Sequence, residues 1–336
     1  MATREVTLRR APWRQAALAG LALAAIPAFA AASVINCGDT LTAGSWLLET
    51  DLVCPSNSGS GVGLTLTSGA VLDLGGHSIG MDVGGSGTAI AITGTGATVQ
   101  NGAVTSADTA VHLSGGGGHH LRNLQVAKLL NTGIALSGSN GNEITGCQVN
   151  GVAVHGIFLD GSHWNRLEKL VVDDTSGIGP AAGIVLFGSN GNVITGSEVL
   201  RSQCTGIWLR VGSSRNVVCF NAVQDTAVFL GGPAVDILIT DASSGNLVCK
   251  NQVTATATPA VTSDGINVGC KGGCNCGLGG AGFSLPTTGA SQNIVLGNTA
   301  DGELRYGIAQ STGNPGNVYP LNQATGNGTA NFAIDP

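Results

Sequence analysis

Charge is scarce in this sequence: Asp, Glu, Lys and Arg together make up 10% of 336 residues, against roughly 25% in an ordinary domain. Lys and Arg number only 14, and four of these arginines (Arg4, Arg9, Arg10, Arg14) lie in the first 32 residues. The remainder carries ten basic and nineteen acidic side chains, a formal charge of −9. Nucleic-acid binding rests on neutralising phosphates with Lys and Arg, so it is excluded as an expectation. Aromatics are 4% of the chain and methionines number two. Beyond residue 32 no apolar run is long enough to span a bilayer. No segment carries a capped pattern of period 3.6, so helices are not expected.

The abundant residue is Gly, 54 of 336, within a chain that is 43% hydrophobic. That apolar content excludes a disordered glycine-rich polymer and calls for many short strands joined by tight turns. The N-terminal arginines, the apolar run from Ala16 to Ala25 and the small residues Ala28-Phe29-Ala30 read as a signal peptide over 1–32. Export to the periplasm, the cell surface or the medium follows as the expectation.

A repeat organises the rest. GIALSGSNGNEITG, starting at Gly133, returns as GIVLFGSNGNVITG at Gly183 with three changes. Aligned on Gly-Ile-x-Leu, a ladder runs through Ala110, Gly133, Gly156, Gly183 and Gly206, with spacings of 23, 23, 27 and 23 residues. Asn142, Asn165, Asn192, Asn216, Asn246, Asn293 and Asn317 mark the middle of each unit, and Val126, Val149, Val172, Val199, Val223 and Val253 mark its end. Three short runs per unit, each alternating with period 2, predict one coil of a right-handed parallel β-helix burying Ile, Leu and Val in a continuous core. The expected organisation is an N-terminal cap over 33–60, a solenoid of nine or ten coils over 61–330 with a loop insert at 270–291, and a tail over 331–336.

Units such as GIALSGSNGNEITGCQV, and the opening CGDTLT and VLDLGGHSI, resemble the secreted parallel β-helix repeats of the pectin-lyase-like, NosD-like superfamily. The resemblance covers nearly all of the chain after the signal. It implies the fold and leaves the activity open, because such proteins include lyases, hydrolases, epimerases and adhesins. No specific enzyme signature is present: the DPHD element of alginate C5-epimerases, the catalytic set of polygalacturonases and the calcium-binding aspartates of pectate lyases are all missing.

Nine cysteines in an exported chain suggest disulfides. Cys37 and Cys54 are expected to staple the cap. Cys219 and Cys249 hold equivalent places in NVVCFN and NLVCKN on neighbouring coils, within disulfide reach at a rise of about 4.8 Å. Cys270, Cys274 and Cys276 sit in the insert. Cys147 and Cys204 read as small buried residues, one of them available to pair with the insert.

Outward columns are the place to look for chemistry. One reads Ala135, Phe158, Val185, Trp208; the next reads Ser137, Asp160, Phe187, Arg210. Exposed Phe158, Phe187 and Trp208 beside Asp160 and Arg210 would make a sugar platform, the flat rings covering the apolar face of a pyranose. The alternative is that the insert or a partner covers them. A third column, Lys128, Gly151, Asp174, Arg201, Asp225, alternates in sign like a salt-bridge ladder. Asp173, Asp174 and Arg201 beside His155 form the candidate catalytic group, since an epimerase or lyase needs a cation for the uronate and a base for the C5 proton. His119 takes the turn place of Asn142, His163-Trp164 replace Asn-Gly in that turn, and His77 reads as structural. No metal site is expected, copper lacks support because Met81 is the only methionine after the signal, and no cofactor is assigned, with bound calcium left open. The functional expectation is an exported protein that binds or modifies a polysaccharide through this face. The alternative is a non-catalytic solenoid making protein contacts.

Overall fold

The computed structural model describes residues 34–56, 61–82, 86–176, 181–226, 234–256, 263–271 and 289–335. The expected signal peptide, 1–32, and most of the expected insert, 272–288, with Cys274 and Cys276, lie outside the described residues. Within them the chain is all β, with no helix, and forms a parallel β-solenoid of about ten coils. One side is a twelve-stranded parallel sheet running from Thr40–Leu41 to Ala330–Ile334. The rest of each coil gives two shorter strands, such as Glu143–Thr145 and Gln148–Val152, which pair in parallel with their equivalents one coil away.

Register follows the repeat residue by residue. Ile134, Ile157, Ile184, Ile207, Ile237, Ile266 and Ile308 stand in line across successive strands. The line Leu136, Leu159, Leu186, Leu209 and Ile239 runs beside it, and every member of both is buried. These side chains, with the closing valines, form one continuous core along the axis. Gly stands before every Ile of the line except Ile237, and the core leaves it no room: a Cβ on Gly156 would stand 2.3 Å from Val172 Cγ1.

Turns make the corners. At the first, Asn142 donates its backbone N–H and its side-chain Nδ2 to Asn165 Oδ1, at 2.9 and 2.8 Å. The same pair of bonds repeats from Asn165 to Asn192, Asn216, Asn246, Asn293 and Asn317. His119 stands at the head of this ladder, donating its backbone N–H to Asn142 Oδ1. A second ladder, not foreseen from the sequence, runs at the next corner: Ser197, Asn221, Asn251, Asn298 and Asn322. Buried amides satisfied in this way stiffen the corners without leaving backbone groups unpaired.

Disulfides join Cys37 to Cys54 and Cys219 to Cys249, with Cα separations of 5.3 and 4.5 Å. The second bridges adjacent strands in direct register. Cys204 and Cys270 are also disulfide-bonded. Cys147 is free and buried, and burial pushes its thiol up to about 11, so it is inert packing.

Candidate functional site

The two outward columns of the long sheet fall into the expected register: Ala135, Phe158, Val185, Trp208 in one, and Ser137, Asp160, Phe187, Arg210 in the other. Their exposure divides between the two expectations, an open platform and a covered patch. Trp208 is only 1% exposed and packs with Ala182, Val185, Val235, Leu238 and Cys270 in a second apolar cluster outside the coil core. Its indole Nε1 donates to Thr240 Oγ1 at 3.0 Å. Trp208 is therefore not a free platform. Period 2 tells which side of the strand a residue takes; it does not tell whether a further layer covers that side.

The remaining members form a contiguous stack. His155 lies against Phe158, with ring centroids 5.2 Å apart and planes within 18°. Phe158 meets Phe187 at 6.2 Å. The Arg210 guanidinium lies 5.5 Å from the Phe187 ring and 4.2 Å from the Trp208 ring, and pairs with Asp241 at 3.3 Å. Guanidinium stacked on rings and held by a carboxylate is fixed in orientation. Phe158, Phe187 and Arg210 are half-buried, and Asp160 is exposed. Burial pushes the His155 imidazole down to about 4, Arg210 adding to the effect, so the ring is neutral over the physiological range.

Round the corner from Asp160 stands Trp164, 69% exposed and in the left-handed region at φ 55°. Its indole lies over Gly191 on the next coil, where a Cβ would come within 2.6 Å of the ring. The neighbouring His163 is tied down by its backbone N–H to Asn140 Oδ1 and by its Nδ1, which accepts from Asn190 N–H.

The candidate catalytic group separates. Arg201 pairs with Asp173, and Asp174 accepts the Ser176 hydroxyl at 2.9 Å. Among the described residues no hydrogen bond or ion pair joins His155 to any of the three. The alternating column is also not a ladder of ion pairs, because Arg201 reaches diagonally to Asp173 and Asp225 takes the N–H and hydroxyl of Thr256. Its members share a backbone cause instead: Lys128, Gly151, Asp174, Arg201 and Asp225 all have φ between 47° and 65°. They are the left-handed corner of each coil, which projects side chains outward at the bend.

The sequence reading missed a buried polar group in the later coils. Asp236 sits in register between Gly206 and Gly265, in the glycine column, and is fully buried. Glu303 is buried beside it. Next to them Arg305 donates to both oxygens of buried Asp264, the Nε contact being 2.6 Å. A signal is present in the residues: Val235-Asp236-Ile237-Leu238 places a carboxylate where earlier units write Gly.

The stacked coils, twelve-stranded sheet and asparagine corners define a parallel β-helix protein. Residues 56–266 match the family described as "Periplasmic copper-binding protein (NosD)", and the chain belongs to that family. It is accordingly a protein of the exported, periplasmic class, and no helix among the described residues is long and apolar enough to cross a membrane. No curated protein matches the sequence.

Solved structures similar to it include the Dettilon tailspike protein gp208, 15% identical over 88% of this chain and 61% of that one, with a TM-score of 0.55. A double mutant of the periplasmic alginate epimerase AlgG is 11% identical over 88% and 77% of the two chains, at 0.61. The catalytic domain of a GH87 alpha-1,3-glucanase in complex with nigerose is 14% identical over 88% and 63%, at 0.53. The chain thus spans about three fifths of the tailspike it resembles. The family description raises copper, which favours imidazole and sulfur ligands. Among the described residues no three of His, Cys, Asp and Glu are placed so that they could hold a metal ion, and Cys147 is buried alone, so these residues do not fit a copper site.

Proposed function

We propose that this exported solenoid binds a carbohydrate polymer along the edge of its long sheet, on Asp160, Phe187 and Arg210, backed by Phe158. The observation that carries the reading is the register of these three residues on consecutive coils, which sets a carboxylate, a ring and an oriented guanidinium at intervals of about 4.8 Å. A ring takes the C–H face of a pyranose, a guanidinium bonds hydroxyls or a uronate in bidentate fashion, and a carboxylate accepts hydroxyl donors. Trp164 extends the same surface round the corner. The tailspike, epimerase and glucanase resemblances support a polysaccharide in general. The reading is one of binding: His155 is a neutral, weak base, and Asp173, Asp174 and Arg201 do not converge on one reacting centre.

A glycan array, with a lyase and hydrolase screen, on the wild type, Asp160→Asn and Phe187→Ala tests it. Binding should fall at least about tenfold in each variant, the worth of one good contact. Unaltered binding in both would remove the site. Trp208→Ala is a poor probe, since it empties a packed cluster.

A second reading has its own observation. Val193, Val217, Leu247, Ile294 and Val318 form an outward apolar column on the other side of the solenoid, Ile294 and Val318 being exposed. A non-catalytic solenoid would use it for protein contact. Association that is lost in Ile294→Glu, with glycan binding absent throughout, would favour this reading.

A further inference from the structure

Buried carboxyl groups need a proton, a cation or hydrogen-bond donors. Among the described residues, Asp236 and Glu303 have no cation of their own and few donors. Four buried carboxyl oxygens share few neighbouring donors: the Thr226 N–H and hydroxyl beside Asp236 and the Ser263 hydroxyl beside Glu303, with Asp236 Oδ2 and both Glu303 oxygens shielded from solvent. The strong cation of the region, Arg305, is spent on Asp264. The other charges facing the pair are Asp225, which precedes Thr226, and Asp264, and both are negative. The Ser263 hydroxyl is the remaining polar neighbour; it also accepts the Leu304 N–H at 3.3 Å. The two carboxyls meet inside the coil, one from the glycine column of the long sheet and one from the corner that leads into that sheet, between Thr299–Asp301 and Tyr306–Gln310.

We propose that Asp236 and Glu303 share a proton inside the solenoid, and that this proton is a latch holding the later coils closed. Two ionised groups here would repel one another in an environment that already contains two further carboxylates. Loss of the proton to solvent therefore requires the coils between Ala234 and Gln310 to open. The direction of the titration agrees. Burial first, and then the neighbouring carboxylates, push Glu303 up to about 7 and raise Asp236 well above its ordinary range. A carboxyl raised on folding binds its proton more tightly in the folded state. Its stabilisation is complete in mild acid and is lost as pH rises from about 4.5 through about 7.

Hydrogen exchange on the full chain between about pH 5 and 8, corrected for intrinsic rates, reads the latch directly. In the wild type the opening equilibrium of the strands Ala234–Ile239 and Tyr306–Gln310 should grow with pH, by up to about tenfold per unit for one proton. The strand Thr132–Ser137, far along the axis, serves as the internal control and should stay flat. Glu303→Gln keeps a donor for Asp236 and removes the titration, so its slope should vanish. A wild-type opening that does not depend on pH would overturn the proposal. So would an undiminished slope in Glu303→Gln. If that variant does not fold, Asp236→Asn repeats the test, and the wild-type slope alone still decides it.

Discussion

The two asparagine corners solve one problem at different lengths. The first ladder runs from Asn142 to Asn317 through seven asparagines, and each amide is both donor and acceptor. At the second corner the asparagines begin only at Asn221. Upstream, the same register position is held by Leu124, Cys147 and Leu170, all buried, with Ser197 as the transition. One backbone bend thus accepts an apolar side chain that joins the core, or an amide that bonds to its copies. At the second corner other groups do the amide's work: Leu124 lies within a strand, and the Ser197 hydroxyl oxygen accepts the Leu170 N–H.

Four substitutions sharpen that contrast. Asn192→Leu should be the most damaging, at about 4 kcal/mol, because it strands the backbone N–H and the Nδ2 of buried Asn165 and deletes the two bonds that Asn192 Nδ2 makes. Urea unfolding at constant m-value measures it, and a loss below about 1 kcal/mol would mean the first ladder is replaceable. Leu170→Ala, in the apolar stretch of the second corner, should cost about 2–3 kcal/mol through the cavity it opens. Asn221→Leu should cost less, about 2 kcal/mol, since only the Ser197 N–H loses its acceptor on the upstream side. If Asn221→Leu proves as harmful as Asn192→Leu, the two corners are equivalent after all. Arg201→Ala, which breaks an ion pair whose arginine is more than half exposed, should change stability by less than about 1 kcal/mol and serves as the baseline.

Much of the fold is legible in the order of the residues alone. The spacing of Gly-Ile-x-Leu sets the coil, and the line of Ile134, Ile157, Ile184 and Ile207 sets the register, because period 2 with one buried face admits little else. The first ladder is visible in the turn asparagines. The second is written just as plainly, each of its asparagines standing five residues after a member of the first, at 216 and 221, 246 and 251, 293 and 298, 317 and 322. It escapes a reading by pattern because these asparagines lie between two short strands and look like turn punctuation. Trp208 and the Asp236–Glu303 pair are hidden for a different reason. Pattern reports the face a side chain takes, while burial depends on what other segments lie over that face.

The middle rungs of the first ladder repeat one chemistry: each donates its backbone N–H and one Nδ2 hydrogen to the next coil and its other Nδ2 hydrogen to a carbonyl of the preceding one. A whole unit copied in tandem would therefore find an acceptor waiting on one side and a donor on the other. The rod can be lengthened or shortened by complete units with no new partner to invent, whereas a partial unit would break both chains of amides at once. The near-identical phrases at Gly133 and Gly183 are what such growth leaves behind in a gene.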